Sequence, residues 1–298
     1  MIALSTAWSP RRRASLARTF AAGRKLGFTA FELGISPAPF DLRAVGRALE
    51  RGDVTITSVH AVCSERDLPP ANRRGDWVAD PDETIRREGV ARVKETLDNA
   101  RRVGAAAVVL HGGVLPLPEA RDLQLEAFRA VSRGEPPPPF ARLVPERQVL
   151  APAYLAALAD SLTELCDYAP DLTLALENRF YVTDLPMGDE FHEIFGRVPA
   201  PNLRYWHDVG HAQVLDRIGC IDQVALLEAQ ADRLAGMHLH DIAGFDDHRP
   251  PGTGDFNFGA LTEFLRPDVI RVMEIAPGHS PKAVRRGREH LAEVYGIA

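Results

Sequence analysis

Leu174-Ala175-Leu176-Glu177, Arg204-Tyr205-Trp206-His207-Asp208, Leu234-Ala235-Gly236-Met237-His238 and Val272-Met273-Glu274 are short apolar runs that each end on an acid or an imidazole. Each has the length and content of a buried strand, and the segments between them have helical patterns. Strand and helix in alternation call for parallel pairing with the helices outside. A closed parallel barrel gathers the C-terminal ends of its strands at one rim. Two glutamates, one aspartate and one histidine brought to one point there form a ligand set for a divalent ion.

The same pattern fills the rest of the chain. Eight apolar runs recur, at Ile2–Thr6, Ala30–Ile35, Ile56–Val62, Ala106–Leu110, Leu172–Leu176, Leu203–Trp206, Ala235–Leu239 and Val269–Ile275. Pro81–Val103 carries Val90, Val93 and Leu97 at helical spacing, with Gly104 as a stop. Ala151–Tyr168 and Ser280–Tyr295 read as further helices. Eight repeats favour a closed (β/α)8 barrel over an open doubly wound sheet. The open sheet would usually carry a glycine-rich phosphate turn after its first strand, where Ser9-Pro10-Arg11-Arg12-Arg13 stands instead. The 298 residues, 45% of them hydrophobic, suffice for one large core, so residues 1–298 read as a single domain without internal repeats. The departure is Gly112–Leu150, an insertion after the fourth strand containing Glu135-Pro136-Pro137-Pro138-Pro139. It is too long for an ordinary βα loop. It reads either as a solvated insertion or contact between subunits of a homo-oligomer, or as a lid over the rim.

Charge and composition narrow the partners. A formal net charge of −6 gives no strong pull on nucleic acid or anionic membranes, although a local basic groove is compatible with it. Lys25, Lys94 and Lys282 are the lysines, and none ends an apolar run, so a Schiff-base mechanism lacks its nucleophile. Cys63, Cys166 and Cys220 are scattered, without a Cys-x-x-Cys pair, and read as thiols of a reducing cytosol. Met1–Trp8 enters directly into a strand-like run, with no basic-then-apolar leader, and no apolar stretch has the length of a membrane span. A cytoplasmic protein is expected.

Glu177, Asp208, His238 and Glu274 end the fifth to eighth runs. A lone glutamate after a strand is usually a cap or a salt-bridge partner, whereas four consecutive strands ending in ligand-type residues point to a metal. Carboxylates with one imidazole suit Mn²⁺, Mg²⁺, Co²⁺ or Zn²⁺. His60, His111, His211, Asp246 and His248 also follow strand ends or lie in the adjoining loops. Each is either an additional ligand or a hydrogen-bonded core residue. His240 shares a face with His238 if the strand continues, and is an alternative ligand or a partner to one. His211, Glu32, Trp8, His240 and Arg249 are candidate substrate contacts. Glu32 could equally orient a neighbouring ligand, and Trp8 could simply pack. Arg179 and Arg249 are candidate receivers of a phosphate or carboxylate. Gly252-Thr253-Gly254 follows Pro250-Pro251 inside a loop and reads as a turn that places His248. No Gly-x-Ser-x-Gly and no Walker-type loop occurs, which removes serine hydrolases and P-loop enzymes.

Glu177-Asn178, Asp208-x-x-His211, His238-Leu-His-Asp241 and Asp246-x-His248-x-x-Pro-Gly-x-Gly254, followed by the Glu274 strand, resemble the xylose-isomerase-like TIM-barrel superfamily over nearly the whole chain. That group holds sugar phosphate isomerases and epimerases and also endonuclease IV. The resemblance to its ketose epimerases implies one divalent ion on Glu177, Asp208, His238 and Glu274, with His211 touching substrate. The resemblance to endonuclease IV implies that His60, His111, Asp246 and His248 help complete a three-zinc cluster. An epimerase would use the metal to hold two adjacent oxygens of a hydroxy-ketone and stabilise the enediolate, with Glu177 and Glu274 as acid and base. A dehydratase or other lyase would need the same metal and the same base. A nuclease would need rim loops rich in basic and intercalating residues. Ser64–Trp77 has Arg66, Arg73 and Arg74 but also Glu65, Asp67 and Asp76, and the loop after the seventh run is acidic. The expectation is therefore a metal-dependent isomerase or epimerase of a sugar, sugar acid or polyol. A metal-bound partner or sensor without turnover is the reading from a different class.

Overall fold

Eight strands pair in parallel and close on themselves. They are β1 (Ala3–Ser5), β2 (Ala30–Leu33), β3 (Thr55–His60), β4 (Ala107–Leu110), β5 (Thr173–Glu177), β6 (Leu203–Asp208), β7 (Leu234–His238) and β8 (Ile270–Met273). β1 seals the ring, with Leu4 opposite Phe31 of β2 on one side and Met273 of β8 on the other. The computed structural model describes residues 1–11, 14–36, 38–68, 76–140 and 144–296. Arg12 and Arg13 of the segment after the first run, and Arg73 and Arg74 of the rim loop weighed above, lie outside the described residues. The eight strands match the eight apolar runs, and the single-domain TIM barrel is the architecture of the chain.

Among the described residues the helices are α1 (Leu16–Lys25), α2 (Leu42–Glu50), α3 (Glu83–Val103), α4 (Pro118–Ser132), α5 (Val144–Tyr168), α6 (Glu190–Arg197), α7 (Val209–Arg217), α8 (Gln223–Gln230) and α9 (Pro281–Tyr295). α3 shows why the sequence folds this way. The Asp82 side chain accepts from the N–H groups of Thr84 and Ile85 and satisfies the first turn. Val90, Val93, Leu97 and Ala100 recur on the face turned to the barrel and are buried. Gly104 ends the helix at φ 69, a left-handed conformation that glycine adopts without steric cost.

α5 corrects one expectation. Pro145–Tyr168 is long and apolar enough, by length and composition, to cross a membrane. In the barrel, Leu155, Leu158, Leu162 and Leu165 bury that apolar surface in the core.

The segment 112–150 is largely built into the outer layer. Gly113–Val114 pairs antiparallel with Asp184–Leu185 in the loop after β5. α4 follows, with Pro118 at its first turn and Leu123, Ala127 and Ala130 on its buried side. Buried Gln124 ties α4 to the loop after β5, since its Nε2 donates to the Phe180 carbonyl and its Oε1 accepts from the Val182 N–H. One turn on, Phe128 stacks on Phe245 at 4.1 Å between ring centroids and meets Phe180 edge-on at 5.9 Å. Phe245 sits between Asp241–Ala243 and Asp246–Arg249, two short strands that pair antiparallel after β7. The insertion thus joins the loops after β5 and β7.

Candidate metal centre

Register puts the key side chains next to one another. Asp208 lies directly opposite His238 across β6 and β7, and His238 opposite Val272 across β7 and β8. Glu177 is the last residue of β5, and Glu274 follows β8 by one. One ligand-type atom from each of Glu177, Asp208, His238 and Glu274 falls within 4.8 Å of all the others, and all four residues are buried. His238 Nδ1 is 2.7 Å from Glu177 Oε1, 3.2 Å from Glu274 Oε2 and 3.5 Å from Asp208 Oδ2.

Neighbouring groups decide which atom of each residue faces the centre. His238 Nε2 is 3.2 Å from both oxygens of Glu32, and Glu32 Oε2 accepts from the Ser58 hydroxyl at 2.8 Å. Nε2–H is therefore held by Glu32, and Nδ1 is the atom turned to the centre. Asp208 Oδ1 accepts from the His211 N–H at 2.8 Å, which also caps α7, and lies 2.9 Å from His240 Nε2. His240 Nδ1 accepts the backbone N–H of His248, so it is Nε2–H that donates to Asp208. Asp208 Oδ2 is left buried with no hydrogen-bond partner. A buried carboxylate oxygen without a donor is costly, and here it points at three other ligand-type groups. This orphaned oxygen, with the carboxylate-rich donor set, fits a divalent cation. The close approach of His240 also explains Gly210, because a Cβ there would run into the imidazole.

The electrostatics follow from burial and crowding. Burial alone would raise the Glu177 carboxyl, but the close approach of His111 and His238 outweighs it and holds Glu177 well below its usual range. Burial also opposes ionisation of Glu274, and the His238 charge outweighs it. His238 moves the other way. Burial disfavours its charge, yet the Glu274 and Glu32 carboxylates raise it well above an ordinary imidazole. Burial pushes His211 down to about 4. His211 is thus a neutral imidazole near pH 7, with Nδ1 3.2 Å from the Asn178 carbonyl.

Further groups of ligand-type atoms surround this centre. His60, His111 and Glu177 form one, and His211, Asp247 and His248 another, while Asp208 and His248 also group with His240. Here the structure corrects the sequence reading. Asp246 faces solvent and pairs with Arg249 at 2.6 Å, so neither residue stands at the centre or against the cavity. Asp247 takes the place expected of Asp246, with Oδ2 3.0 Å from His248 Nδ1. The cause is backbone geometry. Strand alternation would put residues 246 and 248 on one face, but His248 has φ 53, which breaks the alternation. The turn at 252–254 is fixed by Asp241, which accepts from the N–H groups of Ile242, Thr253, Gly254 and Phe256, while His248 is tied by its own N–H to His240 Nδ1.

A cavity of about 320 Å³ opens over the centre, lined by Ile35, His60, His111, Glu177, Arg179, Phe180, Tyr181, His211, Asp247, His248 and Glu274. Of the candidate substrate contacts, His211 reaches it. Glu32 and His240 are fully buried behind His238 and Asp208. Trp8 is buried and donates from Nε1 to the His279 carbonyl at 3.0 Å, so it packs. Asp247 and the aromatic pair Phe180-Tyr181 were missed as site residues. The pair's position directly after the Glu177 strand was the available signal.

Residues 20–294 match the profile of the xylose isomerase-like TIM barrel family. No curated protein sequence matches the chain. Similar solved structures include a D-tagatose 3-epimerase-like protein, 20% identical over 99% of this chain and 97% of that one, with a TM-score of 0.69. The 3-keto-D-glucoside 4-epimerase of E. coli is 18% identical over 98% of each chain, with a TM-score of 0.67. The IolI protein with a bound zinc atom is 16% identical over 99% of this chain and 98% of that one, with a TM-score of 0.69. At such identities the likeness establishes the fold. The profile match extends from β2 through β8, including the strands that carry Glu177, Asp208, His238 and Glu274, and so the chain belongs to the xylose isomerase-like TIM barrel family.

Proposed function

We propose that the chain is a divalent-metal-dependent isomerase or epimerase of a sugar, sugar acid or polyol. The observation that carries this reading is the convergence of Glu177, Asp208, His238 and Glu274 under a cavity of about 320 Å³, the size of a small ligand site. These four residues would hold the ion, whether Mn²⁺, Co²⁺, Mg²⁺ or Zn²⁺. A bound divalent ion would act as a Lewis acid on adjacent carbonyl and hydroxyl oxygens and stabilise an enediolate.

The remaining chemistry belongs to the chain. Glu177 and Glu274 reach the cavity from β5 and just past β8 and are both held ionised, ready to accept a proton from carbon. One removes the proton and the other, recharged through substrate or water, returns it. His211, neutral and fixed through Nδ1 by the Asn178 carbonyl, offers Nε2 to a substrate hydroxyl. Phe180 and Tyr181 wall the pocket and limit water. The similar structures, among them sugar epimerases and a zinc-bound protein, support the same class. Cys63, Cys166 and Cys220 are free thiols, which fits a cytoplasmic setting.

The test is proton exchange. A panel of ketoses, sugar acids and inositol-like polyols is incubated in D₂O with Mn²⁺ or Co²⁺. Deuterium entering a C–H position, together with an epimer or isomer, is the expected result. No exchange across the panel overturns the reading. Release of water with a dicarbonyl product reassigns the chain to a lyase using the same base.

A further inference from the structure

Arg179 lies two residues past the end of β5, beside the His60–His111–Glu177 group. Its Nη1 is 2.6 Å from His111 Nε2 and 3.3 Å from Glu177 Oε2. His60 Nε2 stands 3.4 Å from that same glutamate oxygen. His60, His111 and Glu177 are each about 1% exposed. An ion held by this group would need the lone pair on His111 Nε2, and the guanidinium N–H is already directed at it. Asp184 Oδ2, 3.8 Å from Arg179 Nε, balances the cation from the other side.

We propose that the Arg179 guanidinium is a built-in monocation that fills the His60–His111–Glu177 group and keeps a divalent ion out of it. The inference rests on the metal reading of the neighbouring four-residue centre. Arginine stays protonated at any working pH, so the position cannot be vacated by titration. Admission of an ion would require the side chain to swing away and leave Asp184 buried without its cation. The substitution has a chemical consequence. Hydrolysis of a phosphodiester by paired ions needs both of them, one to generate hydroxide and one to neutralise the leaving oxygen. A guanidinium offers charge and N–H donors but no exchangeable position for water. It can hydrogen-bond a substrate oxygen over the cavity, which suits a polyol or hydroxy-ketone.

The experiment counts ions. Metal-stripped protein is equilibrated with Zn²⁺, passed through a desalting column and analysed for zinc per chain. Arg179→Met should gain one ion over the parent chain, and the gain should vanish in Arg179→Met/His111→Gln. His111→Gln alone should lose none. Failure of Arg179→Met to gain an ion overturns the proposal, as does loss of an ion in His111→Gln alone. If Arg179→Met does not fold, the His111→Gln arm, which retains the guanidinium, decides by itself. The gain is a difference from the parent, so it is separate from the parent's own count. A parent chain that binds no zinc would defeat the metal-dependent function and leave this difference still to be read.

Discussion

The side-chain amide of Asn178 pairs with both backbone polar groups of Asp208. Its Oδ1 accepts the Asp208 N–H at 2.8 Å, and its Nδ2 donates to the Asp208 carbonyl at 2.9 Å. A side chain thereby stands in for the next rung of the ladder between β5 and β6, at the point where β5 stops. Asp208 is positioned by this substitute rung, and the Tyr205 hydroxyl steadies it through Asn178 Oδ1 at 3.1 Å.

Asn178→Ala leaves the buried N–H of Asp208 without its partner, while the carbonyl, at the N-cap of α7, keeps the first helical bond. The expected loss is about 1–3 kcal/mol of stability, read as a lowered denaturant midpoint. Zinc affinity should fall with it. A midpoint equal to the parent's would show that the clamp contributes nothing.

Glu32→Gln removes the carboxylate that holds His238 Nε2–H while keeping an oxygen in reach. Metal affinity should drop roughly 10- to 100-fold, the usual effect of losing a carboxylate behind a histidine ligand. The metal-free protein should melt at a lower temperature, since the buried His238 loses one of the carboxylates that hold its charge. Chelator competition measures the first and thermal unfolding the second. Unchanged affinity would count against the orienting role.

Asp247→Asn and Asp246→Asn separate the observed site from the expected one. Asp247 lines the cavity and holds His248, so its variant should lose roughly 10- to 100-fold in kcat/KM, the worth of a hydrogen bond between charged groups. Asp246 faces solvent with Arg249, and its variant should behave like the parent. The reverse outcome would restore the register read from sequence.

Burial pushes the Cys166 and Cys220 thiols up to about 12. In the unfolded chain such thiols ionise near pH 8.5. Below that value both states hold the proton and nothing changes. Above it the unfolded state binds fewer protons than the folded one, so stability falls as pH rises toward 12. Denaturant midpoints at pH 8 and pH 10 should show this decline, and Cys166→Ala/Cys220→Ala should flatten it. An identical decline in that variant would assign the effect to other groups.

The barrel was legible because its strands are buried on both faces and read as unbroken apolar runs. The four central residues were legible because parallel strands end at one rim, so chain position alone located Glu177, Asp208, His238 and Glu274. What lay beyond was depth and direction. Glu32 and Trp8 stand at strand ends like the others, yet one backs onto His238 and the other packs. Strand ends cannot report which neighbour a side chain meets. Asp247 was hidden by the positive φ of His248, a backbone state written in no residue type near it. α4 was passed over although Leu123, Ala127 and Ala130 recur at helical spacing after Pro118, because the proline run at 136–139 dominated the reading of that segment.

The stacking of Phe128 on Phe245 has a consequence for how such a chain can change. Two segments far apart in sequence share one exchangeable contact, and among the described residues the ring contacts of the pair run to Phe180 and to each other. Neither ring lines the cavity, but Phe128 meets Phe180, which does, so a smaller or larger ring there would act on the cavity wall through Phe180. Adaptation to a new substrate therefore has a route that runs through the insertion and the loop after β7, and selection can explore it while the reactive half of the barrel is held still.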